Sequence, residues 1–272
     1  MSVKKLVLKS GYQIPLLGFG TYRLTGKECT RAVSEALNTG YVHIDTAVAY
    51  DNEEAVAHGI DDSGVNRSNI FITTKISRVG LQYGKVIEQC KSSLEKLQTD
   101  YIDLLLIHWP NSSIPIGETL DALHDLTEQK MIRSAGVSNF TIKHLKEALA
   151  LNKLPICNNQ VEYHPLLNQR ELYEYCGQQK IVLTAYSPIA RGKVSHHQVI
   201  QNLAERKDIS AQQLSLAWLM QKQIVSIPKA STPEHINENY QSQFIDLTPE
   251  EMSLMEECNR DERLVNPPWA EF

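Results

Sequence analysis

The sequence predicts an α/β fold, a (β/α)8 barrel in which eight parallel strands alternate with helices. Short apolar runs recur along the 272 residues, and each is followed by a longer segment whose apolar residues have helical spacing. Continuous apolar strands that alternate with helices indicate a parallel sheet covered by helices. Eight such units in a chain of this length favour a closed barrel over an open doubly wound sheet.

The predicted strands are short and are separated by polar segments. Ahead of them, "KKLVLKSGYQIPLLG" predicts a β-hairpin with "SG" as its turn, which is expected to close the bottom of the barrel. No linker rich in Pro or Ser interrupts the chain, so residues 1–272 are expected to form one domain. The barrel strands are predicted within "LLGFG", "VHID", "IFITTK", "IDLLLIH", "IRSAGVSN", "PICNNQ", "IVLTAY" and "IVSIPK".

The segments between the strands carry helix signals. In "LQYGKVIEQCKSSLEKL", Val86, Cys90 and Leu94 recur on one helical face. Thr141 and Ser210 each precede a run of helical periodicity and are predicted N-caps. An open dinucleotide-binding sheet would usually carry a three-glycine fingerprint, but "GFGTYR" has Arg23 in place of the third glycine.

The composition excludes several classes of protein. Hydrophobic residues make up 42% of the chain and charged residues 22%, as in ordinary globular proteins. The net charge is −5 and the 27 Lys and Arg residues are scattered, which argues against a nucleic-acid or membrane partner. The start "MSVKKLVLKSGYQIP" has the pattern of neither a signal peptide nor a membrane span, so a cytoplasmic location is expected.

The five cysteines are widely separated and include no C-x-x-C pair, so reduced and mostly buried thiols are expected. No set of His, Cys and carboxylate residues has the spacing of a strong metal site, and no metal is expected.

Polar or ionisable residues end seven of the eight predicted strands. In a parallel barrel these ends share the C-terminal rim, where barrel active sites are built. One such residue has an ordinary structural explanation, but seven together predict a polar pocket at the barrel mouth. They are Asp45, Lys75, His108, Ser138 with Asn139, Gln160, Tyr186 and Lys229.

Four residues, Asp45, Tyr50, Lys75 and His108, predict acid–base chemistry. An isolated phenol has a pKa of about 10 and is a poor proton donor at neutral pH. A nearby Lys75 ammonium is expected to lower the pKa of Tyr50, and Asp45 to keep the lysine charged. His108 is expected to orient a substrate oxygen, so the set suits protonation of a carbonyl that receives a hydride. A plain ion pair of Asp45 with Lys75, a core role for His108 and simple packing of Tyr50 remain alternatives.

Ordered motifs along the chain resemble the signatures of the aldo-keto reductases, from about residue 6 to residue 268. They are "GFGTYR", "HIDTAVAYDNEEAV", "ITTKI", "TDYIDLLLIHWP", "AGVSNF", "NNQVEYHP", "TAYSPIARG" and "IPKASTPEHINEN". The resemblance implies a barrel that binds NADPH along its rim without a Rossmann fold. It also implies Asp45, Tyr50, Lys75 and His108 as the catalytic tetrad, with Tyr50 as the general acid.

The same resemblance implies a set of cofactor-binding residues. Ser138, Asn139 and Gln160 would hold the nicotinamide carboxamide, Tyr186 would stack on the nicotinamide ring, and Asp45 would contact the adjoining ribose. The other implied residues are Gly20, Thr21 and Tyr22 beside cofactor or substrate, Ser187, Ile189 and Gly192 along the pyrophosphate, Lys229, Ser231 and Thr232 around the 2′-phosphate, and Glu238 and Asn239 near adenine.

One residue departs from the family pattern. Many relatives have Arg after "TPE", where this chain has His235. A neutral imidazole would contact the adenine and the phosphate more weakly than a guanidinium, so a weaker preference for NADPH is expected. A pH-dependent NADPH affinity is a further hypothesis, which a constant Kd between about pH 6 and 8 would exclude.

The loops after the fourth and seventh strands are short, as is the tail "NRDERLVNPPWAEF". This compact form resembles the bacterial 2,5-diketo-D-gluconate reductases of B type and the methylglyoxal reductases. The likeness implies a monomer that reduces 2,5-diketo-D-gluconate to 2-keto-L-gulonate, methylglyoxal or other 2-oxoaldehydes. The predicted substrate-binding residues are Tyr22, Tyr50, His108 and Trp109, while Trp269 is either a pocket wall or a distant anchor of the tail.

Two hypotheses that place the protein in another functional class stay open. A non-catalytic, redox-sensing subunit would bind the nicotinamide cofactor without turnover, and a hydrolytic or lyase barrel would not bind it. Arg23 and Arg191 are either partners of a substrate carboxylate or solvated charges.

Overall fold

The predicted barrel strands form one parallel sheet in the computed structural model, which describes residues 3–272. Each of its eight strands pairs with its neighbours in chain order. The strands are β3 Phe19–Gly20, β4 His43–Asp45, β5 Phe71–Ile76, β6 Leu104–Ile107, β7 Ala135–Ser138, β8 Ile156–Glu162, β9 Val182–Tyr186 and β10 Val225–Ser226.

Hydrogen bonds between the first and last of these strands close the sheet into a barrel. The Gly18 N–H donates to the Ser226 carbonyl at 2.9 Å, and the Ser226 N–H donates to the Leu16 carbonyl at 2.8 Å. A Cβ at Gly20 would lie 2.7 Å from the Ile227 carbonyl oxygen, so a glycine is needed for this close approach. The predicted (β/α)8 fold is confirmed.

The predicted N-terminal hairpin is also present. It pairs β1 Lys5–Val7 with β2 Gln13–Pro15 in antiparallel register. In its turn, the Ser10 hydroxyl lies 2.7 Å from the hydroxyl of Ser134, the residue before β7. Because this contact is made at the N-terminal end of a barrel strand, the hairpin covers the bottom of the barrel.

Helices cover the outside of the barrel. Thr141 and Ser210 cap α5 and α8 as predicted, since each side-chain oxygen accepts the N–H three residues later. Helices α7 and α10 were not predicted as separate units. Within residues 3–272, no helix is both long and apolar enough to cross a membrane. The helices are α1 Gly26–Thr39, α2 Glu53–Ser63, α3 Tyr83–Lys96, α4 Ile116–Glu128, α5 Ile142–Ala150, α6 Arg170–Gln178, α7 Gln198–Lys207, α8 Ala211–Gln221, α9 Pro233–Gln241 and α10 Pro249–Glu256.

Strand β8 departs from the predicted pattern of continuous apolar strands. It is buried along its whole length, although its sequence ICNNQVE includes two asparagines, a glutamine and a glutamate. The amide nitrogens of the two asparagines have partners: Asn158 Nδ2 donates to Thr184 Oγ1 at 2.8 Å, and Asn159 Nδ2 donates to the Phe140 carbonyl at 3.0 Å. Hydrogen bonding allows such groups to be buried without a large penalty.

An ionic cluster holds the bottom of the barrel together around Asp103, the buried residue that precedes β6. Its carboxylate accepts from Arg67 Nη2 at 2.8 Å, from Arg133 Nη1 at 2.8 Å and from the Ile72 N–H at 2.9 Å. The Arg133 guanidinium also stacks on the Tyr101 ring, with 3.7 Å between its carbon and the ring centroid. This carboxylate therefore joins three separate segments.

The five cysteines are free and buried, as predicted. Burial raises the pKa of the Cys29, Cys90 and Cys176 thiols to about 12, and that of Cys258 to about 11. At neutral pH these side chains are therefore protonated.

The cluster around Asp103 leads to a prediction about stability. We expect Asp103→Asn to lower the free energy of unfolding by about 2 kcal/mol, because two guanidinium groups lose their charged acceptor. Urea denaturation would measure the change. Glu174→Gln is the control, since its pair with Arg170 is largely exposed and is expected to contribute less than about 0.5 kcal/mol. Equal losses in the two variants would contradict the prediction.

Candidate active site

The structure brings Asp45, Tyr50, Lys75 and His108 together at the C-terminal rim of the barrel. Asp45 is the last residue of β4, Lys75 is the last but one of β5, and His108 directly follows β6. Tyr50 ends a short 3-10 turn, Val48–Tyr50, that follows β4.

Five strand ends differ from the predictions. β6 ends at Ile107 and β7 at Ser138, each one residue short of the predicted end. β5 extends one residue beyond Lys75, β8 extends two residues beyond Gln160, and β10 ends three residues before Lys229. Lys75 nevertheless contacts Asp45, as predicted. Gln160 also contacts Asp45, which was not predicted, and its role towards the cofactor stays a prediction. Lys229 lies on the loop between β10 and α9 and is exposed.

Lys75 is at the centre of the site and is completely buried. Its ammonium donates to Asp45 Oδ1 at 2.6 Å, to the Thr46 carbonyl at 2.8 Å and to Tyr50 Oη at 3.3 Å. These acceptors engage all three N–H groups of the ammonium. Because the phenol oxygen of Tyr50 accepts from Lys75, its own O–H is free to donate into the cavity above.

The ionic states of Lys75 and Asp45 depend on each other. Burial lowers the pKa of Lys75 and raises that of Asp45, whereas their close contact acts in the opposite direction on both. Gln160 Nε2 donates to Asp45 Oδ2 at 2.7 Å and also favours the carboxylate. A second buried carboxylate, Glu53, favours the charged form of Lys75.

The pKa of Tyr50 is raised overall, not lowered as the nearby Lys75 led us to predict. Burial raises the pKa of Tyr50 well above its ordinary value of 10.0, and the Asp45 carboxylate adds to this increase. The Lys75 charge is already shared with Asp45, so it does not outweigh the cost of a desolvated phenolate. The phenol is therefore protonated at neutral pH and keeps its proton until a strong base forms beside it.

The His108 imidazole lies edge to face against the Tyr50 ring, with 5.6 Å between the ring centroids. Burial and the Lys75 charge lower the pKa of His108 to about 3. The ring is therefore neutral at physiological pH, with one nitrogen able to donate and the other able to accept.

A cavity of about 970 Å³ opens above these residues. Its floor is polar, and its outer wall includes a segment of the C-terminal tail. Trp269, whose position the sequence left open, therefore lines the cavity; its ring packs against Trp109 with 4.9 Å between centroids. The floor includes Asp45, Tyr50, His108, Ser138, Asn139 and Gln160. The outer wall includes Tyr22, Val79, Trp109, Leu264, Val265, Asn266, Pro267 and Trp269.

The predicted cofactor residues fall into two groups. Those that line the cavity are Gly20, Tyr22, Asp45, Ser138, Asn139, Gln160, Tyr186, Ser187, Ile189 and Lys229. The others, Thr21, Gly192, Ser231, Thr232, His235, Glu238 and Asn239, lie outside its lining. The cofactor-binding roles of both groups stay predictions. Thr21 is buried and donates to the Asp45 carbonyl at 3.0 Å.

The residues predicted to bind adenosine lie around the start of α9. Thr232 caps this helix, where its side chain accepts from the His235 N–H at 3.4 Å. The imidazole of His235 lies 3.2 Å from the Glu238 carboxylate, and both side chains are partly or mostly exposed. Asn239 is buried.

Hydrogen bonds join the polar floor of the cavity across four strands. Tyr186 Oη donates to Asn139 Oδ1 at 2.8 Å, and Asn139 Nδ2 donates to the His108 carbonyl at 3.0 Å. Ser138 Oγ donates to the Gln160 carbonyl at 2.8 Å. The ends of β6 to β9 are thus held in fixed relative positions.

Three exposed cations, Arg23, Arg191 and Lys229, line the cavity, and none of them has an ion-pair partner among residues 3–272. Among the lining residues the only carboxylate is Asp45, which is paired with Lys75. The mouth of the cavity is therefore positive, although the chain as a whole has a net charge of −5.

Sequence reasoning missed Asn52, which joins the loops that carry Tyr22 and Tyr50. Its Oδ1 accepts from Thr46 Oγ1 at 2.6 Å, and its Nδ2 donates to the Thr21 carbonyl at 3.0 Å. Its only signal was its position in "AYDNEE", two residues after Tyr50, in a stretch that reads as a polar loop.

Known proteins resemble this chain over nearly its whole length. The glyoxal reductase of Bacillus subtilis is 40% identical over 262 residues, which cover 96% of this chain and 95% of the relative. The methylglyoxal reductase DkgB of Yersinia pestis is 38% identical over 257 residues, 93% of this chain and 96% of the relative. The crystal structure of a putative 2,5-diketo-D-gluconic acid reductase B superposes with a TM-score of 0.94 at 36% identity, covering 98% of this chain and 95% of that one.

The family model described as "Aldo/keto reductase family" matches residues 16–260, which include every residue of the tetrad. Together with the barrel and the relatives, this match shows that the chain belongs to the aldo/keto reductase family of oxidoreductases.

Proposed function

We propose that this protein is an NADPH-dependent reductase of small carbonyl compounds, with 2-oxoaldehydes such as methylglyoxal and keto-sugar acids such as 2,5-diketo-D-gluconate as substrates. Aldo-keto reductases generally bind a nicotinamide cofactor. The observation that carries the proposal is the hydrogen bond from Lys75 to Tyr50 Oη, because it directs the phenol proton into the cavity.

The cavity suits a dinucleotide with several negative charges. Arg23, Arg191 and Lys229 line the cavity and have no ion-pair partner within residues 3–272, and the pyrophosphate of NADPH needs such cations. Lys229 precedes Ser231 and Thr232 at the N-terminal end of α9, where backbone N–H groups and the helix dipole favour anions. A 2′-phosphate, which NADH lacks, is the group we assign to this end of the cavity.

A nicotinamide cofactor bound there would supply a hydride for the carbonyl carbon, and the protein would supply the proton. As negative charge grows on the carbonyl oxygen, the Tyr50 O–H transfers its proton to that oxygen and an alcohol forms. Lys75 then donates to a phenolate instead of a phenol, and this charged hydrogen bond reduces the cost of the buried phenolate without cancelling it. His108, as a neutral donor, orients the carbonyl oxygen.

The size and lining of the site favour small substrates with a reactive carbonyl. Tyr50 and His108 contact the reacting group at the floor, while Tyr22, Trp109 and Trp269 limit the space above it. The names of the relatives, which include a glyoxal reductase and methylglyoxal reductases, support this substrate class.

Oxidation of NADPH followed at 340 nm tests the proposed function. We expect turnover of methylglyoxal and 2,5-diketo-D-gluconate, and a higher kcat/KM with NADPH than with NADH. A benzaldehyde serves as the comparison substrate. No turnover of any carbonyl by a protein that binds NADPH would favour the redox-sensing subunit instead.

The role of Tyr50 is tested by Tyr50→Phe, which removes the proton donor and keeps the ring. We expect kcat to fall by about 10²-fold or more, the usual contribution of a general acid, while the Kd of NADPH stays unchanged. Tyr12→Phe is the control, because Tyr12 is an exposed tyrosine of the N-terminal hairpin and does not line the cavity. A similar loss of kcat in both variants would exclude Tyr50 as the specific acid.

The role of Lys229 is tested by Lys229→Ala. We expect the Kd of NADPH to rise by about 10-fold or more, because a charge-assisted hydrogen bond to the 2′-phosphate is lost, and the Kd of NADH to change much less. Tryptophan fluorescence titration would measure both constants. Lys91→Ala, on the outer surface of α3, is the control. Equal losses for the two cofactors would mean that Lys229 does not contact the phosphate.

A further inference from the structure

Glu162 is a buried carboxylate that the proposed chemistry does not use. It ends β8, two residues after Gln160, so the two side chains leave the strand on the same face. Its side chain is completely buried, and it is absent from the cavity lining. Such a group needs partners for both of its oxygens, because an unpaired charge in this position would be strongly destabilising.

The C-terminal tail supplies those partners through its backbone. The Leu264 N–H donates to Glu162 Oε1 at 2.7 Å, and the Val265 N–H donates to Glu162 Oε2 at 2.9 Å. The His164 Nε2 atom lies 3.1 Å from Glu162 Oε1, and its side chain is also completely buried. Burial opposes the charged form of Glu162, yet these hydrogen bonds together lower its pKa below the ordinary value of 4.5.

The segment held in this way continues across the mouth of the cavity. Leu264, Val265, Asn266, Pro267 and Trp269 all line the cavity. Beyond them, the Glu271 carboxylate accepts from the Ser112 N–H at 3.1 Å and pairs with Arg78 at 3.3 Å. The Arg78 guanidinium also lies over the Trp269 ring at 5.1 Å. The tail segment 264–271 is thus attached to the barrel on both sides of the cavity.

We propose that Glu162 is a positioning residue for substrate specificity, which acts by fixing the tail segment 264–271 as the outer wall of the cavity. This inference rests on the proposed function. Two adjacent N–H groups on one carboxylate fix both the position and the direction of the tail. Small substrates contact only the floor of the cavity, whereas a substrate with a ring reaches Trp269 and depends on the position of the wall.

Glu162→Gln tests the proposal, because it keeps the shape of the side chain and replaces one acceptor oxygen with a donor that faces a backbone N–H. Two 2-oxoaldehydes with the same reacting group, methylglyoxal and phenylglyoxal, serve as substrates. We expect kcat/KM for phenylglyoxal to fall about 10-fold, mainly through KM, because contact area with the wall is lost. For methylglyoxal, kcat/KM should stay within about 2-fold of the original.

A mutant cycle with Trp269→Ala tests whether the two residues act through the same wall. We expect the double variant to lose no more specificity for phenylglyoxal than the larger of the two single losses, since coupled residues are not additive. Additive losses would overturn the proposal.

Asp103→Asn is the matched control, because it removes a buried carboxylate at the opposite end of the barrel. It is expected to lower stability without changing the ratio of the two kcat/KM values.

Amide hydrogen exchange gives a second readout that does not depend on turnover. We expect Leu264 and Val265 to exchange faster in Glu162→Gln, while the core strands keep their protection. Unchanged protection, or equal losses for the two substrates, would overturn the proposal.

If Glu162→Gln does not fold, Val265→Pro removes one of the two donors from the half-buried tail and should cause the same loss for phenylglyoxal. If the unaltered protein reduces neither aldehyde, the proposed function fails, and hydrogen exchange alone decides whether Glu162 holds the tail.

Discussion

The buried ammonium of Lys75 is the group on which the candidate active site depends. Removing such a charge from water costs several kcal/mol, and only well-placed acceptors offset that cost. Here the acceptors come from Asp45, Thr46 and Tyr50, all on or just after β4, the strand that pairs with β5. The register of these two strands therefore determines whether the lysine can stay charged, and the charge in turn fixes where the Tyr50 phenol lies.

The two ends of the barrel use buried carboxylates for different purposes. At the bottom, Asp103 joins three segments through two guanidinium groups and does not line the active-site cavity. At the mouth, the carboxylate of Asp45 holds a lysine next to a phenol that faces open space. Glu162 combines both roles, because it is as buried as Asp103 but its partners belong to a wall of the cavity.

The barrel and the grouping of the polar rim residues were predictable from the sequence, because strand order alone brings the strand ends of a parallel barrel together. The sign of the pKa change at Tyr50 was not predictable, because it depends on the competition of Asp45 and burial with Lys75 over a few ångströms. The partners of Glu162 were also hidden, because Leu264 and Val265 contribute backbone N–H groups, which carry no sequence signal. For Asn52, the loop sequence gives no indication that the side chain is buried.

Burial of the five thiols limits their reaction with the proposed substrates. A 2-oxoaldehyde is an electrophile, and the thiolate is the form of cysteine that attacks electrophiles. With pKa values of about 11 to 12, the thiols of Cys29, Cys90, Cys176 and Cys258 carry almost no thiolate at neutral pH, and the packed core excludes the reagent. The nucleophilic side chains that an electrophilic substrate can reach at the mouth are instead the exposed Arg23, Arg191 and Lys229.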